Sequence, residues 1–443
     1  MTELEKVLNE KLTENGDLAY SSTGNNLLDL LFMTEYYQKH LNEVKIGDSD
    51  IEKIFSMFIR DPRYGLGRRD LGRELMKQSN VPAPLVAMAG RFDDLIKNPT
   101  MLNLNYILSE IMNDNELAKK WMPRLTGKDR KLAKAFCKQF NMTEKEYRAF
   151  IKCDTTTEYK LSYAEKQEGT PLNELFNNNE YTHPLVDKIN FEHVPSLAMI
   201  KYYNLFKTRD DLKDRFQEYL DSVKKGEKKL NIATTTCYDI YKTRHTIDAD
   251  LFFDKLEKIK ISCIPILDTS GSMHDSDDSF GKANSTAHYL AKCSTYANNQ
   301  IISFSSTPRL MTIKGNNYAQ EIDSMYTGDC SDTDFAAVME ILKGLKEFPE
   351  YLIVLSDMEF NYGSMQSKNE LEQLWKDNNC NTKIIWWNFN SRNTTTPETD
   401  DMGNIFLSGY NPMLLKFLES GFDGNAFLKK LLVEYTKNID NNN

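Results

Sequence analysis

The sequence predicts two fold classes in one chain, an α-helical repeat followed by a doubly wound α/β domain. Three observations carry this. From about residue 255 onward, apolar strand-like runs alternate with helical periods, as in a mostly parallel sheet covered on both faces. Before that point, helices of roughly 12–20 residues follow one another, each with one apolar face and short Gly, Pro or Asn breaks, the pattern of paired helices stacked into a solenoid or bundle. Finally, Ile261-Ser-Cys-Ile-Pro-Ile-Leu-Asp-Thr-Ser-Gly-Ser-Met273 reads as a buried strand that feeds a polar cluster of Asp268, Ser270 and Ser272.

At 443 residues the chain exceeds the ~250–300 residues at which single cores stop growing, so two domains are expected, residues 1–250 and 251–443. Its 40% hydrophobic and 27% charged residues are those of a soluble globular protein, and no run of about 18 apolar residues exists to span a bilayer. Met1-Thr-Glu-Leu-Glu-Lys lacks the basic and then apolar layout of a signal peptide. The seven cysteines are odd in number and scattered without a Cys-x-x-Cys pair, which points to reduced thiols in a cytoplasmic setting and away from a disulfide framework or zinc site. Charge is uneven: residues 251–443 carry 17 Lys+Arg against 26 Asp+Glu, net −9, whereas residues 51–150 carry 19 against 12, net +7. A basic region inside an acidic protein suits a polyanion, and equally the solvated faces of helices.

Taken in order, the chain opens on an amphipathic helix pattern in Leu4, Val7, Leu8 and Leu12. Apolar residues at three- and four-residue spacing then predict helices over 25–40, 48–60, 68–79, 84–97, 101–121, 128–140, 144–152, 195–206 and 209–224. Residues 224–238 read as a connection to a helix at 248–258. Strands follow at 261–267, 300–304, 309–313, 350–356, 382–389 and 404–407, alternating with helices at 280–298, 334–347, 368–379, 411–420 and 423–437. Ala283, Ala287, Leu290, Ala291 and Ser294 give the first of those helices a small-residue face for close packing on a sheet, and Trp386 and Trp387 read as core of a strand buried on both sides.

The polar cluster carries the chemistry. Asp-x-Ser-Gly-Ser places a carboxylate and two hydroxyls on a tight loop at the carboxyl end of a strand, where open α/β sheets keep their ligand crevice. Oxygen-only ligation suits a hard cation, magnesium better than zinc. The plain alternative is a Ser/Gly turn with Asp268 capping the next helix. Two later segments add oxygens: Asp329-Cys-Ser-Asp-Thr-Asp-Phe335 opens a helical pattern and offers Thr333, and Tyr351-Leu-Ile-Val-Leu-Ser-Asp357 is a second apolar strand that ends in an acid.

Asp268, Ser270, Ser272, Thr333 and Asp357, in that order and on that alternation, resemble a von Willebrand factor A domain with a complete metal-ion-dependent adhesion site, over roughly residues 255–437. The resemblance implies Mg2+, or another divalent cation such as Mn2+ or Ca2+. Ser270, Ser272 and Thr333 would ligate it directly, with Asp268 and Asp357 acting directly or through water. One position would stay open for a carboxylate from a protein partner.

A second resemblance rests on Arg60-Asp-Pro-Arg-Tyr-Gly-Leu-Gly-Arg-Arg-Asp-Leu71, Gly90-Arg-Phe-Asp-Asp-Leu95, Lys120-Trp-Met-Pro-Arg124, Tyr147-Arg148 and Val194-Pro-Ser-Leu-Ala-Met199, all ahead of an A-like domain. This layout is similar to the Ro/TROVE class and its uncharacterised plant, bacterial and viral relatives, in which a HEAT-like helical ring is closed by an A domain. That class implies binding of single-stranded RNA ends in the ring and of small structured RNAs on an outer basic surface. The candidate residues form two groups. Arg60, Arg63, Arg68 and Arg69 surround two glycines at a helix start, where guanidinium groups and free backbone amides would meet phosphate. Lys119, Lys120, Arg124, Lys128, Arg130 and Lys131 form a second group around Trp121, a potential stacking partner for a base. Competing structural roles are ion pairs of Arg60 with Asp61 and Arg69 with Asp70, a lock of Arg91 on Asp93 or Asp94, and a core position for Trp121.

Catalysis is not expected. A phosphatase built on Asp268 would need a second acid where Ser270 stands, no Gly-x-x-x-x-Gly-Lys-Ser/Thr loop is present, and His274 has no nucleophile and acid spaced to work with it. Two functions of different class remain: an RNA-binding ring whose metal-dependent A domain recruits a protein partner, or a metal-dependent protein scaffold with no RNA role.

Overall fold

The computed structural model describes residues 10–12, 18–20, 23–151, 189–232, 235–274, 278–296, 298–326, 328, 334–345, 347–357, 373, 375–376, 381–389, 398–399, 404–421 and 423–440. The chain forms two compact units, one from Met1–His40 and Thr235–Leu431, the other from Leu41–Thr234 and Leu432–Asn443. This differs from the single cut expected at 250/251, for a physical reason. The helix Asn26–Phe32 belongs to the α/β unit, and its Leu27, Leu28, Leu31 and Phe32 are buried. There Phe32 meets Phe417 and Phe427, with ring centroids 5.1 and 6.4 Å away, and Asn411 donates to the carbonyls of Leu31 and Phe32.

In the α/β unit, β1 (Glu10–Leu12) and β2 (Leu18–Tyr20) pair antiparallel, where a helix was expected. The main sheet comprises β3 (Cys263–Asp268), β4 (Gln300–Phe304), β5 (Arg309–Thr312), β6 (Tyr351–Ser356), β7 (Lys383–Asn388), β8 (Glu398–Thr399) and β9 (Ile405–Ser408). Their order is β5-β4-β3-β6-β7-β9-β8, parallel in the middle with antiparallel strands at both edges. The continuous apolar runs of β3, β6 and β7 follow from cover on both faces. Alternation puts Ile264, Ile266, Ile302, Phe304, Leu352, Val354, Ile384 and Trp386 on one face, against Phe335, Val338, Met339 and Leu342 of the helix Phe335–Lys343. The helix Ser279–Cys293 packs on β3, with Ala283, Ala287, Leu290 and Ala291 fully buried, as its small residues predict.

Two helices in this unit were not foreseen. The expected connection at 224–238 runs into the helix Cys237–Thr243, which packs on Ser279–Cys293, and Tyr318–Ser324 is a further short helix. The expected helix at 368–379 lies almost wholly outside the described residues.

The helical unit follows the predicted series with two breaks. The helices Ala83–Ala89 and Phe92–Lys97 part at Gly90, where a Cβ would lie 2.2 Å from the Asp94 carboxylate. Met101–Met112 and Glu116–Trp121 part at Asp114, which adopts a left-handed φ of 64°. Reciprocal caps start the helices Asp50–Arg60 (Ser49 with Glu52) and Glu144–Phe150 (Thr143 with Glu146). The helices Ser196–Thr208 and Lys213–Lys224 close on an aromatic cluster in which Phe216 lies 5.0 Å from Phe191 and 5.3 Å from Phe206. Among the described residues no helix is long and apolar enough to cross a membrane.

Candidate metal centre

Strand order locates the site. The chain runs β3, β4, β5 toward one edge and then returns to lay β6 on the other side of β3, so the topological switch point falls between β3 and β6. The carboxyl ends of those two strands are Asp268 and Ser356, followed by Asp357. Asp268 shares a sheet face with Ile264 and Ile266, the face covered by the helix Phe335–Lys343 that begins two residues after Thr333.

Asp268 is fully buried, Ser270 is 2% exposed and Asp357 is fully buried. The Ser270 amide donates to Asp268 Oδ1 at 2.9 Å, and the Ser356 hydroxyl donates to Asp268 Oδ2 at 2.5 Å. The Ser270 and Ser272 hydroxyls lie 3.2 Å apart. The backbone holds this loop against β4, since the Thr269 amide and hydroxyl both donate to the Phe304 carbonyl. The next residue, Ser305, accepts the Asp334 amide through its carbonyl, at 3.1 Å. Thr333 itself lies outside the described residues. Ser356, which orients the carboxylate, was missed in the sequence because a serine inside an apolar strand carries no motif of its own.

The donor set fits a hard cation. Burial drives the Asp268 carboxyl up to about 6, against the two serine hydrogen bonds that favour its charged form, and the neighbouring charge of Asp357 adds to the rise. Among the described residues Asp268 forms no salt bridge, and the Ser305 hydroxyl is buried without a hydrogen-bond partner. A buried carboxylate pushed toward neutrality, with two hydroxyls beside it and a second buried acid on the adjacent strand, is the environment that a divalent cation would relieve. Among the described residues no group of three or more His, Cys, Asp or Glu side chains is placed to hold a metal ion, so the donors brought together here are the Asp268 carboxylate and the Ser270 and Ser272 hydroxyls.

The expected phosphate-binding residues of the helical unit are placed less uniformly. Arg60 is 2% exposed and pairs with Asp94, Nη2 to Oδ2 at 2.8 Å and Nε to the same oxygen at 2.9 Å. Arg73 reaches the other Asp94 oxygen at 2.7 Å, and the buried Arg91 pairs with Asp93 at 3.4 Å while lying 4.7 Å from the Trp121 ring centroid. The lock expected of Arg91 is therefore present and larger than foreseen. Lys119 is also buried, with its ammonium on Asp114 and Glu116. Arg60 and Lys119 are thus engaged by carboxylates of the chain itself.

Nor are the amides of the glycine segment free. Gly65 and Gly67 donate to the Asp61 carbonyl, Leu66 to Phe58 and Arg68 to Ile59. Gly72 is a contact point, since a Cβ there would sit 2.6 Å from Arg60 Cα. Arg63 pairs with Asp61 at 3.3 Å and also donates to the Met88 carbonyl, Arg69 lies 3.6 Å from Asp70, and Arg124 donates to the Ile151 carbonyl. Lys120 lies 5.6 Å from the Trp121 ring. Arg130 and Lys131 are exposed at the start of the helix Arg130–Gln139, with Lys134 and Lys138 exposed further along it. Lys128 lies in the Gly127–Asp129 turn, with its side chain outside the described set.

Two family models match the chain: residues 262–439 match the domain of unknown function DUF7788, and residues 91–264 match the domain of unknown function DUF2828. The chain is 22% identical to the uncharacterized protein L728 of Acanthamoeba polyphaga mimivirus, over 97% of this chain and 88% of that protein. Among solved structures, the RO (RSR) protein of Deinococcus radiodurans aligns over 93% of this chain and 96% of its own at a TM-score of 0.43 and 11% identity. An aerotolerance-related membrane protein of Bacteroides fragilis covers 40% of this chain and 99% of its own, at a TM-score of 0.23 and 14% identity. Likeness at these scores bears on neither mechanism nor ligand.

Proposed function

We propose that the α/β unit is a divalent-cation-dependent binding module of the von Willebrand A kind, which takes Mg2+ at Asp268, Ser270, Ser272, Thr333 and Asp357 and offers the ion's open position to an acidic group of a partner. The observation that supports it is the buried Asp268 carboxylate at the switch point, paired with the Ser270 amide and the Ser356 hydroxyl and formed beside the Ser270 and Ser272 hydroxyls. When bound, the cation supplies a fixed positive charge with an exchangeable site. The chain's own residues hold the loop, exclude water from Asp268 and set which hydroxyls face the ion. The reading is one of recognition and not of catalysis.

Magnesium should raise the melting temperature of the wild-type protein, and Asp268→Ala should abolish that rise. Equal melting of the wild type in MgCl2 and in EDTA would sink the proposal, whatever the variant does.

A second reading gives the helical unit an RNA-binding role, as the resemblance to the Ro/TROVE class implies. It is favoured by one observation: Arg130, Lys131, Lys134 and Lys138 are exposed together on one short helix, within a segment of net +7. The measurement is binding of fluorescent single-stranded RNA in a salt series, using wild type and a variant with Arg69, Arg130 and Lys131 changed to Gln. The expected result is binding that falls steeply with salt and is weaker in the variant, whose salt slope is shallower by about 0.7 for each phosphate it no longer neutralises. Absence of binding at low salt leaves the cation-dependent module as the function of the chain.

A further inference from the structure

The helix Cys237–Thr243 precedes the matched α/β family region, which begins at residue 262, yet it packs on the helix Ser279–Cys293 that follows the cation loop. The contact is specific. Asp278, the N-cap of Ser279–Cys293, adopts a left-handed backbone (φ 56°, ψ 48°), a region that Asp and Asn enter more readily than other residues with a Cβ. Its carboxylate makes two bonds: Oδ1 accepts the Gly281 amide at 3.1 Å and Oδ2 accepts the Tyr238 hydroxyl at 2.9 Å.

The surroundings leave little room for either group to move. A Cβ at Gly281 would lie 2.5 Å from Asp278 Oδ2 and 2.6 Å from the Tyr241 ring, so the glycine is required for this approach. Tyr238 is held edge-on to Tyr410 at 5.6 Å, just beyond the end of β9, and Lys242 sits 4.4 Å from its ring centroid. Ser279, beside Asp278, donates to the carbonyl of Phe389, just beyond the end of β7. The His274 ring lies tilted against Phe280, with centroids 4.6 Å apart.

From this we infer that the Tyr238–Asp278 hydrogen bond is a latch that positions the cation loop, so that cation affinity in the α/β unit depends on a residue outside the 262–439 match, within the segment that the other family model matches. Among the described residues Tyr238 makes no hydrogen bond to a proposed cation ligand. It holds the cap of the helix Ser279–Cys293, which follows Ser270 and Ser272 in the sequence, and it ties that cap to the carboxyl end of the sheet through Tyr410. The inference rests on the cation-dependent reading for its functional consequence and on the latch geometry for its structural one, and the two are separable by experiment.

The test compares wild type, Tyr238→Phe and Asp278→Asn in the full chain. MgCl2 affinity is read by calorimetric titration, and exchange of the Ser270, Met273 and His274 amides is read in EDTA by mass spectrometry. Loss of one hydrogen bond to a charged acceptor should weaken magnesium binding by about fivefold or more and speed exchange at those amides, with the ring packing kept. In Asp278→Asn the Oδ1 still accepts the Gly281 amide while Nδ2 donates to the Tyr238 hydroxyl, which reverses its role, and the left-handed backbone is tolerated, so this variant should stay near wild type. Unchanged affinity in Tyr238→Phe while the wild type binds magnesium overturns the latch. If the wild type binds no magnesium, the cation reading fails, and exchange alone then decides: unchanged rates overturn the latch and faster rates retain it as a positioning contact.

Discussion

His288 shows how a single residue in the α/β unit couples packing to pH. Its ring is fully buried between Phe253 and Tyr318, whose centroids lie 4.8 and 4.9 Å away. Nε2 is 2.8 Å from Glu321 Oε2, Lys292 takes the other Glu321 oxygen at 2.7 Å, and Nδ1 is buried without a hydrogen-bond partner among the described residues. Burial holds the imidazole below its ordinary value, against the pull of Glu321, and Lys292 and Lys258 push the same way as burial. The neutral ring therefore belongs to the folded state. Above about 6.5 its contribution to stability is complete, and as pH falls below that value the unfolded chain gains a proton first and stability drains away. Glu321 is depressed chiefly by its bond to His288, so its own share persists to lower pH and is lost below the ordinary carboxylate range. Urea melts at pH 7.5 and 5.5 in EDTA should show the wild type losing stability at no more than about 1.4 kcal/mol per pH unit from this site. His288→Gln should flatten that loss, and parallel profiles for the two proteins would refute the assignment.

At the scale of elements, the sequence revealed what local spacing encodes. The apolar runs ending at Asp268 and Asp357 are strands, the small-residue face of Ser279–Cys293 packs on the sheet, and most helices of the other unit lie where their periodicity puts them. What it hid depends on partners distant in the chain. Arg60 carries the charge of a surface residue, but its partner Asp94 stands 34 residues away, and nothing in the spacing of the arginine run announces that pairing. Gly65 and Gly67 read as a phosphate-binding segment because glycines serve both purposes; here Gly67 supplies a left-handed φ of 66°, and the nearby Gly72 lets two helices touch. The paired strands β1 and β2 were misread because Leu4, Val7, Leu8 and Leu12 carry a helical period, which outweighed the Asn15-Gly16 hairpin signal beside it. Asp268 was legible as a candidate ligand; Ser356, which donates to it, and the Tyr238–Asp278 bond were not.

For the whole molecule, the consequence is that residue 250 is a poor place to cut. A fragment of residues 251–443 would lack the helix Asn26–Phe32, whose Leu27, Leu28, Leu30, Leu31 and Phe32 are all under 9% exposed, and the helix Cys237–Thr243 with its buried Cys237 and Ile240. Each large apolar side chain is worth about 1.5–3 kcal/mol when fully buried. Five of them together approach the ~5–15 kcal/mol by which a whole domain is stable, even allowing for a compact unfolded state. Removing these helices also uncovers Phe417 and Phe427, which Phe32 contacts, and Tyr410, which Tyr238 and Cys237 contact. The 251–443 fragment should therefore show weak near-ultraviolet dichroism and bind a hydrophobic dye while keeping far-ultraviolet signal, and magnesium should not shift its melting. Joining residues 23–40 to residues 235–440 through a flexible linker should restore a cooperative transition. A 251–443 fragment that melts as sharply as the full chain would show that the amino-terminal helix only decorates a core that is complete without it.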